Sequence, residues 1–166
     1  MEATLYLFVD KEEPELLEMY KKQIKEHNEQ MDKNPFPNSG FDLLLPQKTT
    51  IPYKNNDSHF INFKIKTEMT YNNNPAAFMV YPRSSLSKTS LMLSNHVGII
   101  DSGYRGNIIG AFRCLSENID FVADKFTRLV QICHPSLCKI RVVLVEEETD
   151  LSTTLRGSGG FGSTGK

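Results

Sequence analysis

The sequence predicts an all-β fold, a jelly-roll-like sandwich or barrel with one amino-terminal helix added. Ile61, Phe63 and Ile65 alternate with Asn62, Lys64 and Lys66, the period-two pattern of a strand with one buried and one wet face. From Gly40 onward about ten short apolar runs are separated by turn-forming residues. A single early stretch repeats at helical period, whereas an α/β fold needs a helix between successive strands.

Taken in order, Thr4 to Val9 reads as a strand. Asp10 with Glu13 three residues on has the spacing of a capping box, Pro14 suits a first turn, and Leu16, Leu17, Tyr20, Ile24 and Met31 recur on one helical face. The spacing predicts a helix from about residue 12 to about residue 30, with pairs such as Glu18 and Lys22 on a solvated face. Asn34-Pro35-Phe36-Pro37-Asn38 stops it. Further strands are expected over Phe78 to Tyr81, Leu91 to Leu93, Val97 to Ile100, Ile108 to Leu115, Leu129 to Cys133 and Ile140 to Val145. No internal repeat interrupts this series. Residues 1–145 therefore form one β domain. Residues 146–155, acidic and then polar, read as a linker to a glycine-rich arm ending at residue 166. A linker of that length lets the arm reach a distant site, including one on a neighbouring subunit.

Composition narrows the function classes. The chain has 166 residues with a formal net charge of −1. It lacks the basic field expected of a protein that binds a nucleic-acid polymer or an anionic membrane. Cys114, Cys133 and Cys138 are odd in number, sit among apolar residues and have no zinc spacing. Together with an N-terminus unlike a signal peptide and the lack of a run long enough to span a bilayer, they predict an intracellular protein with reduced thiols.

The arm carries the strongest local signal. Half of the ten glycines fall in the last ten residues, where Phe161, Ser163 and Thr164 are interleaved with them and Arg156 directly precedes them. Such a segment cannot pack as a regular element, but its backbone N–H groups can crowd around an anion. Gly157-x-Gly159-x-x-Gly162 and Gly160-x4-Gly165-Lys166 match a dinucleotide fingerprint and most of a Walker loop by letter. Both need a strand before and a helix after, and neither is predicted here. Four more segments precede the arm: Ser39-Gly40-Phe41-Asp42-Leu43; Tyr81-Pro82-Arg83-Ser84-Ser85-Leu86; Asn95-His96-Val97-Gly98-Ile99-Ile100-Asp101-Ser102-Gly103-Tyr104-Arg105-Gly106; and Arg128-Leu129-Val130-Gln131.

With the arm, these segments resemble the five ordered motifs of the trimeric deoxyuridine triphosphatase (dUTPase) family, over roughly Gly40 to the end. The style of the motifs is similar to that of dUTPases of large DNA viruses, which would place the protein in the cytoplasm or nucleus of a host cell. The resemblance implies hydrolysis of dUTP to dUMP and pyrophosphate by attack of water on the α-phosphorus, with Mg²⁺ on the triphosphate. It implies Asp101 as general base, and a carboxylate in a glycine-flanked turn suits that task. Tyr104 would pack under the sugar and exclude a 2′-hydroxyl. Asn95, with backbone groups around Gly98 and Ile100, would read uracil. Arg83, Ser84, Ser85 and Gln131 would hold phosphates, and Asp42 would contact the hydrated metal. In the arm, Arg156 with Gly162, Ser163 and Thr164 would engage the terminal phosphate while Phe161 stacks on the base. The family's homotrimer would assemble each site from three chains, with the third motif, the first, second and fourth motifs, and the arm each coming from a different one.

Three positions depart from the common pattern: Ser85 for a glycine, Asn107 for a glutamate after Tyr-Arg-Gly, and Phe126-Thr127 for the Gly-Asp before Arg128. The last puts in question the ion pair that Arg128 makes in relatives. Two other functions fit the residues less well. A dCTP deaminase of the same fold needs a glutamate base ten residues after Asp101, where this chain has Ala111. A non-catalytic regulatory trimer would have no use for intact motif residues.

Overall fold

The computed structural model describes residues 2–53 and 57–159. Strand β1 (Glu2–Val9) leads into helix α1 (Pro14–Lys33), then β2 (Gly40–Leu44), β3 (Thr49–Ile51), β4 (His59–Asn62), β5 (Ile65–Tyr71), β6 (Asn74–Pro75) and β7 (Phe78–Pro82). A 3-10 turn, Ser84–Lys88, precedes β8 (Leu91–Leu93), β9 (Gly98–Ile100), β10 (Ile109–Cys114), β11 (Phe121–Ala123), β12 (Arg128–Cys133) and β13 (Lys139–Leu144). The strands form four sheets, ordered β13-β1-β5-β6, β4-β10-β8, β11-β3 and β2-β12-β7-β9. The architecture is therefore a sandwich-like β fold, as expected, without a single sheet closing into a barrel.

The alternating run that anchors the strand prediction is not one strand. Ile61, Phe63 and Ile65 are all buried, but Lys64 takes a left-handed φ of 59° and the Asn62 carboxamide accepts a hydrogen bond from its N–H at 2.8 Å. The chain turns there, so that β4 pairs with β10 and β5 with β1. Its alternating residues thus feed one core from two sheets, joining Leu5, Leu7, Phe41, Leu43, Phe112 and Ile132. Each such side chain stabilises the fold by about 1.5–3 kcal/mol on burial.

Helix α1 starts later and ends later than its sequence predicts. The capping box does not form: the Asp10 carboxylate accepts from the Glu12 N–H, the Glu13 N–H turns back to the Asp10 carbonyl, and Pro14 opens the helix. At the other end the helix runs on to Lys33 and Asn34 caps it, before Pro35 forbids another turn. Leu16, Tyr20, Ile24 and Met31 are buried as expected. Polar side chains on the same helix bond to strand backbones. His27 lies 2.8 Å from the Ile140 carbonyl, and the Asn28 carboxamide brackets Val142 by donating to its carbonyl and accepting from its N–H. Both β13 and β2 are edge strands, and α1 covers the open side of each.

Candidate active site

The sheet β2-β12-β7-β9 carries Asp42, Gly98, Ile100 and Gln131, and the segments beside its strands carry Arg83, Ser84, Asn95 and Asp101, in two separate places. At the β2, β12 and β7 end, Asp42, Arg83, Ser84 and Gln131 line a cavity of about 670 Å³. Arg83 Nε lies 2.7 Å from Asp42 Oδ1, and Arg128 Nη1 lies 3.4 Å from Asp42 Oδ2. With Phe126-Thr127 before it, Arg128 in this chain pairs with Asp42. Gln131 stands opposite Asp42 in the ladder, and its amide passes so close to Gly40 that a Cβ there would lie 2.1 Å from Gln131 Oε1. A larger residue at position 40 would therefore push the Gln131 amide out of its present place. Burial and the Asp42 charge push the neighbouring Cys133 thiol up to about 11, leaving it protonated and inert beside the cavity at neutral pH. Ser85 lies in the 3-10 turn, where its hydroxyl is 3.4 Å from Arg83 Nη1; among the described lining residues it is absent from this cavity.

The second place is a smaller pocket of about 200 Å³ lined by Asn95, Gly98, Ile99, Ile100, Asp101, Tyr104, Ile109 and Arg156. A tight turn delivers Asn95: the His96 N–H bonds back to the Leu93 carbonyl and His96 takes a φ of 62°. Asp101 follows β9 directly, with its side chain 51% exposed, and the Tyr104 N–H closes a turn onto its carbonyl. The Tyr104 ring lies against Gly106, where a Cβ would stand 2.5 Å from the phenol oxygen. Its hydroxyl donates to the Asn107 carbonyl, so the change of side chain at Asn107 leaves this bond intact. Burial raises the phenol above its usual range and the Arg156 charge opposes that.

Residues 146–155, which the sequence reads as a linker, are fastened to the body of their own chain. Leu151 is buried, and Ser152 donates from its N–H and its hydroxyl to the Glu68 carboxylate. Arg105 donates to the Ser152 carbonyl and hydroxyl and to the Ser102 and Tyr104 carbonyls, and lies 3.4 Å from Glu68, with both charged side chains 11% exposed. Thr154 donates to the Gly103 carbonyl, and the Arg105 N–H bonds to the Gly157 carbonyl. The outcome is that Arg156 Nη1 meets Asp101 Oδ2 of the same chain at 2.7 Å. The predicted positions Phe161, Gly162, Ser163 and Thr164 lie outside the described residues.

Glu68, Arg105 and Ser152 are the site-shaping residues that sequence reasoning missed. Arg105 stands inside the third motif but carried no assigned role, and nothing near Glu68 or Ser152 marks them as partners. Ala111 is buried in β10, so no carboxylate is offered where a deaminase base would stand.

A family model described as dUTPase matches residues 29–165. The deoxyuridine 5'-triphosphate nucleotidohydrolase of Rickettsia akari (strain Hartford) is 35% identical over 128 residues, spanning 76% of this chain and 82% of that relative. The protein of the same name from Escherichia phage T5 is 39% identical over 93 residues, 52% of this chain and 57% of its own length. Among solved structures, native EIAV dUTPase aligns with a TM-score of 0.47 and 26% identity over 59% of this chain and 78% of that one.

Proposed function

The chain belongs to the dUTPase family, and from that premise we propose that it hydrolyses dUTP to dUMP and pyrophosphate by attack of water on the α-phosphorus. The observation that carries this reading is the half-exposed Asp101 carboxylate at a pocket it shares with Asn95, Gly98, Ile100 and Tyr104. Asp101 is the general base, taking a proton from the attacking water. The Asn95 carboxamide and the backbone around Gly98 and Ile100 supply donors and acceptors to the uracil edge. Arg156, already at Asp101, is placed to move onto the incoming phosphate, and the arm beyond it excludes bulk water on closure.

Arg83, Ser84 and Gln131 bind the phosphates, for which a guanidinium fork suits an oxyanion, while Ser85, outside the cavity lining, acts through its contact with Arg83. Among the described residues Asp42 is the one carboxylate lining that cavity, and no three His, Cys, Asp or Glu side chains gather as a cage. This donor set fits Mg²⁺ carried mainly by phosphate oxygens and water, with Asp42 reached through a water. When bound, the ion would neutralise charge on the triphosphate.

Within one chain the two places lie apart along β7. In the β7–β9 ladder Val80 faces Gly98 and Phe78 faces Ile100, so Asp101 lies beyond the start of β7 while Arg83 follows its end. The backbone from Phe78 to Arg83 spans roughly 17 Å, which separates Asp101 from this chain's own Arg83 along the strand. We therefore assign the phosphate residues of each site to a neighbouring copy in a homotrimer. Phe60, Ile99 and Val122, left exposed here, are apolar surface that such an assembly would cover. No described helix is long and apolar enough to cross a membrane, and the proposed place of action is the cytoplasm or nucleus.

The test is pyrophosphate release from dUTP, dCTP, dTTP and UTP, with and without Mg²⁺. Turnover of dUTP well above the other three, and dependent on Mg²⁺, is expected. Ammonia released from dCTP would overturn the assignment. A related measurement concerns the sugar: Tyr104→Ala should raise UTP hydrolysis relative to dUTP by roughly 10- to 100-fold, because the exclusion is steric. An unchanged ratio of the two kcat/KM values would assign sugar discrimination to another residue.

A further inference from the structure

Asp42 sits on β2, the edge strand of its sheet, with a β neighbour on one side alone. Even that side is irregular, since the β2–β12 register shifts between Arg128 and Gln131, beside Asp42. A carboxylate on a free and bulged edge is poorly fixed by its own ladder. On the open side α1 supplies the missing bonds. Gln23 Nε2 donates to the Asp42 carbonyl at 2.7 Å, and the Leu44 N–H donates to the Tyr20 hydroxyl at 2.9 Å. These contacts bracket the backbone of Asp42 through Leu44. Tyr20 is completely buried and stacks with Phe41, the residue before Asp42, at 6.2 Å between ring centroids; His27 meets the edge of the same ring at 5.2 Å. The backbone on both sides of Asp42 is thus set by α1, and the Asp42 side chain in turn holds Arg83 Nε at 2.7 Å. Tyr20 and Gln23 lie ahead of residue 29, where the family match begins.

We propose that Gln23 and Tyr20 of α1 are positioning residues for the Asp42–Arg83 pair, so that the amino-terminal helix sets the affinity of the phosphate half-site. The inference rests on the reading of that half-site given above. Two neutral hydrogen bonds from outside the family match replace the strand that β2 lacks. Neither residue touches the nucleotide. Losing one of them lets the strand carrying Asp42 relax, and the guanidinium paired to it relaxes too. The cost falls on phosphate binding, which is shared by ground and transition states, and so on KM more than on kcat.

The experiment compares Gln23→Leu, Tyr20→Phe and Asn28→Ala in the full chain, with and without Asp42→Ala. Three quantities are read: kcat, KM, and the Kd of the non-hydrolysable α,β-imido-dUTP by calorimetry. Asn28 is the control, because it also ties α1 to a strand backbone, at Val142 and away from the site. Gln23→Leu and Tyr20→Phe should each raise KM and Kd about fivefold, the effect of losing one net hydrogen bond, with kcat within about twofold. Asn28→Ala should leave KM and Kd unchanged whatever it does to Tm. In the Asp42→Ala background, Gln23→Leu should weaken binding no further, since the two act on one element. If Asp42→Ala weakens analogue binding while neither helix variant does, or if Asn28→Ala weakens it as much as they do, the positioning role is wrong. If Asp42→Ala leaves the Kd unchanged, the phosphate-side reading of Asp42 fails first and the inference falls with it.

Discussion

Asp101→Asn should bind dUTP nearly as well as the parent chain while turning over roughly 10²- to 10⁴-fold more slowly, the usual range for a positioned general base. The substitution is nearly isosteric. The carboxamide oxygen it introduces can still accept from Arg156, which meets Asp101 at 2.7 Å, so the arm keeps its mooring. Glu68, Arg105 and Ser152 hold the same segment independently of position 101. Binding and arm placement are thereby preserved, and the loss isolates proton removal from water. Calorimetry with α,β-imido-dUTP and single-turnover hydrolysis of dUTP separate the two. A variant that retained more than about a tenth of the parent's turnover would remove Asp101 from the role of base.

Mixing two inactive variants should restore activity. Arg83→Ala chains have an intact Asp101 and a spoiled phosphate cavity, and Asp101→Asn chains have the reverse. Because β7 separates Asp101 from Arg83 within one chain, a site assembled across copies can take each good residue from a different parent. After refolding an equal mixture, about one site in four of a random cyclic assembly would carry both. Turnover should then reach roughly that fraction of the parent level, against near silence for either variant alone. Hybrid oligomers confirmed by mass yet as inactive as their parents would show that each site is built within a single chain.

The residues of the base pocket were legible because they lie close together in the sequence: Asn95, Gly98, Ile100, Asp101 and Tyr104 all flank or occupy β9 and so enter one pocket. Asp42, Arg83, Ser84 and Gln131 are scattered in the sequence and were legible only through the resemblance of their motifs; the fold gathers them because they sit on or beside three adjacent strands of one sheet. That the two groups stand apart depends on the β7–β9 register, which no local pattern encodes. Strand β5 was seen only at its start, Ile65 and Lys66, because beyond them Met69 and Tyr71 are its only strongly apolar residues, and the buried Thr67 and Glu68 read as polar. Glu68 is buried because Arg105 and Ser152, distant in sequence, satisfy it. Strands β3 and β11 have three residues each, too few to show a period. The start of α1 was misplaced because Asp10 offers its carbonyl to Glu13, where the letters suggested a side-chain box.

The parallel pairing of β1 with β13, which sets Glu2 opposite Lys139 and Leu7 opposite Leu144, has a consequence for how the molecule is made. Nearly the whole chain lies between the partners, so the entropy of closing that loop is lost before the contact returns anything. The nearer partner, β5, can join β1 first as an antiparallel neighbour. Until β13 arrives, the other side of β1 stays open, and His27 and Asn28 on α1 lack the Ile140 and Val142 backbones they bond. During synthesis from the N-terminus, the final strand therefore completes the first one, and a chain interrupted before Lys139 would present an unpaired hydrophobic strand edge of the kind that recruits other chains.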